Sequence, residues 1–202
     1  STFEAINKDD LYSITLEVPP LSEQKRIAEV LGSVDAAIET TRAVIEQTKK
    51  VKQGLLQTLL TQGIGHTKFK DSPLGKIPES WEVKALKDSR IAVIDGDRGA
   101  SYPNGDDFQH SGYCLFLNAK NVTKNGFRFE DYQFIDEAKH RQLRKGTLER
   151  GDLVITTRGT IGNIAYYTED VPFDVIRINS GMVIIRNSQN EISTEFLVQL
   201  LD

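Results

Sequence analysis

The chain has 202 residues, of which 39% are hydrophobic and 27% charged, with a formal net charge of −4 at pH 7. This length holds one sizeable domain or one domain with an appendage, and the composition is that of an ordinary globular protein. The acidic balance excludes a global electrostatic footprint for nucleic acid, so any DNA contact has to come from local basic clusters or from a partner protein.

No apolar run approaches the roughly 20 residues of a membrane-spanning helix. The first residues show no basic-then-apolar export pattern. The single cysteine, Cys114, excludes an intramolecular disulfide and fits a reducing cytoplasm; as a small apolar residue it is expected inside a strand.

Residues 1–20 are expected to be extended. Ile14, Leu16 and Val18 alternate with Thr15 and Glu17 at the period of a half-buried strand, and Pro19-Pro20 ends any ladder because proline donates no backbone hydrogen bond. Residues 21–63 then predict one long helix, with Ser22 as N-cap and Glu23 in the first turn. Ile27, Leu31, Val34, Ile38, Thr41, Ile45 and Thr48 recur at spacings of four and three. Val30, Ala37, Val44 and Val51 widen this seam, which broadens toward Leu55, Leu56, Leu59 and Leu60 before Gly63 and Gly65. Such a stripe suits a coiled-coil partner, and about 40 residues make a rod about 60 Å long. Its charges are sorted: Glu23, Glu29, Asp35 and Glu39 precede Arg42, Lys49, Lys50 and Lys52, with Lys25, Arg26 and Glu46 as exceptions. Complementation of the helix dipole accounts for this order, and so does an antiparallel partner of similar sequence.

Residues 64–80 read as a linker, and residues 81–202 as a separate, strand-rich domain. Short β-type runs, among them "RIAVIDG", "YCLFLNAKNV", "FRFEDYQFI", "GDLVITTRG", "NIAYYTED" and "SGMVIIRN", are split by turn signals. A short polar helix or turn is expected within "DEAKHRQLRKGTLERG" and a terminal helix within "EISTEFLVQLLD", capped by Ser193 or Thr194. The expected fold class is α+β: a long coiled-coil-type helix followed by a mixed, strand-rich domain.

Catalysis finds no support in the residues. There is no dinucleotide or P-loop glycine pattern and no paired Cys or His spacing for a metal, so no cofactor is expected. His66, His110 and His140 lie far apart in polar contexts and read as exposed spectators. The loops do carry side chains able to reach base edges and phosphates. "GDLVITTRGTIGN" offers Thr156, Thr157, Arg158, Thr160 and Asn163 after a strand, and "LFLNAKNVTKNG" offers Asn118, Lys120, Asn121, Thr123 and Lys124. Arg98 and Tyr102 sit on the glycine-rich turn of "DGDRGASYP", and "IRINSG" adds Arg177 and Asn179. Lys139, His140, Arg141, Arg144, Lys145 and Arg150 form the strongest basic cluster, suited to phosphates. The nominated DNA-contacting set is Arg98, Tyr102, Asn118, Lys120, Asn121, Lys145, Thr157, Arg158, Thr160 and Asn179.

"PPLSEQKRIAEVLGSVDAAIE", with "KQGLLQTLLTQG" at the far end of the same helix, resembles the conserved region of type I restriction-modification specificity subunits. "GDLVITTRGTIGN", "WEVKALKD" and "FLNAKNV" resemble segments of their target recognition domains. The resemblance implies a non-catalytic protein that recognises double-stranded DNA. In that family two recognition domains, each reading half of a bipartite site, are held apart by antiparallel conserved helices. Methyltransferase (M) subunits, which use S-adenosylmethionine, dock on this scaffold, and restriction (R) subunits join through them. With one helix and one recognition domain, the chain is expected to be a half-subunit pairing with a copy of itself through the long helix, or a piece of a longer subunit. A coiled-coil adaptor whose β-rich domain binds protein is the alternative, and the −4 charge leans that way.

Overall fold

A computed structural model of the chain describes residues 7–189 and 191–201. The chain divides into two compact units, Ser1–Leu59 and Leu60–Asp202.

In the first unit, α1 (Lys8–Tyr12) stands where extended chain was expected. The Asn7 side chain accepts the Asp9 and Asp10 N–H groups at 2.9 and 3.0 Å, and the Asp10 carboxylate accepts the Asn7 N–H at 3.0 Å. This capping box nucleates a helical turn that strand periodicity does not register. Ile14, Leu16 and Val18 join no ladder and are exposed, because alternation makes a strand only where a sheet receives it. The part of that expectation covering residues 1–6 lies outside the described residues.

The long helix α2 runs Leu21–Gln62. Its start differs from the expected one: the Pro20 carbonyl accepts the N–H groups of Glu23 at 2.9 Å and Gln24 at 3.0 Å, so Pro20 holds the cap position and Ser22 lies inside the first turn. Gln24 Nε2 turns back to donate to the Pro19 carbonyl at 2.7 Å, fastening the proline corner to the helix. Ile27, Leu31, Val34, Ile38 and Ile45 are each about half exposed along one stripe. The Thr41 and Thr48 hydroxyls in that stripe donate to the Ala37 and Val44 carbonyls at 2.8 Å. With their polar atoms satisfied inside the helix, these threonines present methyl groups to the seam. Among the described residues no helix is long and apolar enough to cross a membrane.

In the second unit, Gly63 takes φ 66° just beyond α2. A Cβ there would come within 2.8 Å of the Trp81 ring, so both the turn and the packing require glycine. The expected linker contains an antiparallel hairpin, β1 (Phe69–Ser72) and β2 (Gly75–Pro78). Its strands are short and largely exposed, so they leave little hydrophobic pattern to read.

The remaining strands are β3 (Ala92–Asp95), β4 (Cys114–Phe116), β5 (Val122–Thr123), β6 (Gly126–Phe127) and β7 (Gln133–Ile135), then β8 (Leu153–Thr156), β9 (Ile164–Tyr166), β10 (Ile176–Arg177) and β11 (Met182–Arg186). One antiparallel sheet has the order β3-β11-β8-β9, and another has the order β10-β4-β7 with β10 parallel to β4. β5 and β6 form a small hairpin. Leu115 and Ile176 from one sheet share the main core with Val154 and Ile184 from the other. Their sequence neighbours pack on the opposite faces. Leu153 and Ile185 meet Leu197 of α4 (Thr194–Leu201), while Cys114, Phe116 and Ile135 meet Leu143. Strands covered on both faces explain why these runs are continuously apolar rather than alternating. Burial pushes the Cys114 thiol up to about 11. The short helix α3 (Glu137–Gln142) is capped by Asp136, and Ser193 caps α4 by accepting the Phe196 N–H at 3.3 Å. The fold is α+β, a long helix followed by a strand-rich region.

Candidate nucleic-acid interface

The strand order gathers the candidate loops at one end of the second unit. Val183 pairs with Asp95, Met182 with Thr156, and Ile155 with Ile164, so β3 and β8 finish where β11 and β9 begin. In the other sheet Arg177 pairs with Phe116, and β10 runs directly through residues 178–181 into β11. Loops 96–102, 117–121, 157–163 and 178–181 therefore open on the same side.

Asn179, Ser180 and Gly181 form the centre. Asn179 Oδ1 accepts the Gly181 N–H at 2.8 Å, and the Gly181 carbonyl accepts the N–H groups of Thr157 at 2.8 Å and Arg158 at 3.2 Å. The Arg98 guanidinium donates to the Ser180 carbonyl at 3.2 Å, and the Tyr102 hydroxyl accepts the Ser180 N–H at 3.3 Å. Gly96 crosses this loop so closely that a Cβ would lie 2.1 Å from the Asn179 carbonyl oxygen. Asp97, almost wholly buried, accepts the N–H groups of Arg98 at 2.8 Å, Arg144 at 2.5 Å and Lys145 at 3.4 Å. Burial alone would raise the Asp97 pKa, but these donors outweigh it and hold the carboxyl below its ordinary value. Arg98, Tyr102, Lys145, Thr157, Arg158 and Asn179 are thus brought together. Arg158 is exposed and, among the described residues, its guanidinium has neither a carboxylate nor a hydrogen-bond partner.

A second group adjoins the first through the loop after β8. Thr156 Oγ1 donates to the Thr160 carbonyl and accepts the Asn163 N–H at 3.0 Å, and Asn163 Nδ2 donates to the Val122 carbonyl at 2.9 Å. A cleft of about 810 Å³ lies here, lined by Lys120, Lys124, Arg128, Thr160, Ile161 and Asn163 among others. The Asn118 side chain accepts the Lys120 N–H at 2.8 Å, and Lys120 Nζ lies 2.8 Å from Asp131, whose carboxyl it holds low. Both groups are exposed, so this pair yields readily to a competing phosphate.

Several expected contacts belong to the framework instead. Asn121 is wholly buried: its side chain accepts the Asn118 N–H at 2.9 Å and donates to the Arg128 and Asp131 carbonyls at 3.1 and 2.8 Å. Arg177 is buried too, donating to the carbonyls of Lys145, His140 (3.2 Å) and Leu143 (3.4 Å), with burial lowering its pKa. Within the basic cluster, Arg150 stacks on Tyr167 at 4.2 Å and donates to the Thr168, Val171 and Phe173 carbonyls. Lys139 pairs with Asp107 at 3.1 Å and Arg141 with Glu137 at 2.5 Å, leaving that cluster much less free charge than its composition suggests. His140 is partly buried against Tyr113 rather than an exposed spectator, and burial lowers its pKa. Thr156 and Asn163, expected to reach outward from this loop, are buried and half-buried and tie it together instead, while the role of Asp97 escaped sequence reasoning because a buried polar residue carries no periodic signal.

A family model described as the type I restriction modification DNA specificity domain matches residues 1–50. The MjaVIII type I restriction enzyme specificity subunit of Methanocaldococcus jannaschii is 32% identical over 151 residues, covering 74% of this chain and 34% of the relative. The EcoBI specificity subunit of Escherichia coli is 23% identical over 191 residues, covering 87% of this chain and 39% of the relative. The chain thus spans less than half the length of the curated relatives it matches. The crystal structure of the HsdS subunit from Thermoanaerobacter tengcongensis superposes with a TM-score of 0.53 at 18% identity, over 100% of this chain and 46% of that one. A chain from a structure titled for complex assembly and conformational transition of the type I R-M system gives 0.57 at 17% identity, over the same 100% and 46%. These structures agree with this chain in fold, while the family model and the curated relatives show that the chain belongs to the type I restriction-modification specificity-subunit family.

Proposed function

We propose that the chain is the sequence-reading element of a type I restriction-modification system, its second unit reading one half of a bipartite duplex site. The observation that carries this reading is the convergence of four polar loops at one end of two sheets, with Arg98, Lys145, Thr157, Arg158, Thr160 and Asn179 exposed or half-exposed there. Arg158, Thr160 and Asn179 supply base-edge contacts; Lys120 and Lys145 supply phosphate contacts, and Tyr102 and Asn118 hold loop shape beside them. The local character of this surface reconciles DNA binding with a net charge of −4.

In this proposal α2 is the spacer between two readers and a docking element for DNA methyltransferase subunits, through which restriction subunits join. The half-exposed stripe on α2 takes a second, antiparallel helix. Where that helix comes from another copy of the chain, two-fold symmetry makes the site an interrupted palindrome. The chain itself performs no chemistry, and the assembly acts on DNA in the cytoplasm.

The test is binding of the purified chain, alone and with its methyltransferase subunits, to duplexes selected from a random pool. One interrupted site should bind more tightly than its scrambled form at every salt concentration. Equal affinity for both across the salt series overturns the proposal.

A further inference from the structure

Ile161 contributes nothing to the fold, yet it is held out with 78% of its surface exposed, at the tip of the loop between β8 and β9. This exposure is imposed by the loop. Gly162 donates to the Thr156 carbonyl at 2.9 Å, and Thr156 donates to the Asn163 carbonyl at 3.0 Å. With the Thr156 hydroxyl tying in Thr160 and Asn163 tied to Val122, both sides of the tip are fixed. Gly159 and Gly162 flank the tip at φ 75° and 88°, left-handed backbone that lets the chain turn tightly on both sides of it. Along the adjoining cleft lie Lys124, and Lys120 and Arg128 in exposed pairs with Asp131 and Glu130 that a phosphate can displace; Arg158, unpaired among the described residues, precedes the tip in the same loop.

An aliphatic side chain kept in water by a rigid loop forgoes its burial energy until a partner covers it. The partner that fits this tip has an apolar interior behind an anionic rim, which describes stacked bases behind phosphates. We propose that Ile161 is a wedge: it enters between two neighbouring base pairs and unstacks them, while the surrounding lysines and arginines hold the flanking phosphates. The step it opens is a pyrimidine–purine step, the kind most easily unstacked, so Ile161 contributes to site choice through deformability rather than base-edge contact. A thymine-methyl contact, the other use of an exposed aliphatic residue, requires only a surface touch and no tightly turned, braced tip. The inference rests on the DNA-reading proposal.

The test uses the full chain, with its methyltransferase subunits, on the selected duplex carrying 2-aminopurine at successive positions. The wild type should raise fluorescence at one step. Ile161→Ala should keep its melting temperature, abolish that rise and weaken binding about ten-fold. A mismatch placed at that step should restore most of the lost affinity, because the unstacking is then already present. Sequence preference without any local fluorescence rise overturns the wedge while leaving the DNA-reading proposal intact; absence of sequence preference overturns the latter. A wild-type loss on replacing one thymine by deoxyuridine that equals the Ile161→Ala loss assigns a methyl contact and also overturns the wedge.

Discussion

Asn121 offers the sharpest division between reading DNA and holding the loop that reads it. Its side chain is fully buried and makes three hydrogen bonds, accepting from the Asn118 N–H and donating to the Arg128 and Asp131 carbonyls. Asn121→Ala removes all three and strands their backbone partners. At about 1 kcal/mol for each neutral bond, the loss is about 3 kcal/mol. For a unit of this size that lowers the melting temperature by about 5–12 °C. Thermal melts followed by circular dichroism and by fluorescence of Trp81, the only tryptophan in the chain, measure it directly. DNA affinity at low temperature, where the variant is folded, should fall far less than for a loop-tip substitution. A variant that melts within a degree of wild type but loses sequence-specific binding would refute the framework assignment and return Asn121 to the DNA-reading set.

Arg158→Ala should behave in the opposite way. With no partner to strand among the described residues, it should leave the melting temperature unchanged and weaken specific binding by about 10- to 100-fold, as read by fluorescence anisotropy. Asp97, whose pKa is lowered in the folded chain, contributes stability that is present above its ordinary value of 3.8 and is lost as pH falls through the lower folded value. The melting-temperature gap between wild type and Asp97→Asn should therefore be constant at neutral pH and shrink below about pH 4; a gap that widens in acid contradicts the sign. Inserting four residues between Gln57 and Gln62 should lengthen the tolerated gap between half-sites by roughly one or two base pairs, at about 1.5 Å per residue, without changing the bases read. Selection from a pool with variable spacers measures this.

The sequence made the long helix legible because its apolar stripe repeats over many turns, and the strands from β3 to β11 because their apolar runs are bounded by glycines and polar turns. Its start was misplaced because a serine near a helix terminus looks like a cap, whereas the Pro20 carbonyl already takes the first bonds. The hairpin β1–β2 was hidden because its side chains are mostly solvated on both faces. At the candidate interface, composition singled out loops that the strand order gathers at one end, but not which side chains face outward. Asn118 and Asn121 stand three residues apart in one turn, yet one is half-exposed and the other wholly buried. Arg150 and Arg158 look equivalent as letters. Arg150 is enclosed by carbonyls contributed from Thr168 to Phe173, a contact that exists only once the strands are placed.

The unbroken run of α2 from Leu21 to Gln62 has an angular consequence. Each residue added to an α-helix advances the axis by about 1.5 Å and also turns it by about 100°. DNA turns by about 35° for each base pair. Four added residues leave a net rotation of about 40°, near one base-pair step, whereas two leave about 200° and three leave about −60°. In the role proposed for it, such a spacer would change length in quanta set by the phase of the helix. Insertions of about one turn should then keep the two proposed readers facing the same groove, and insertions of half a turn should aim one of them away from the duplex however well the distance fits.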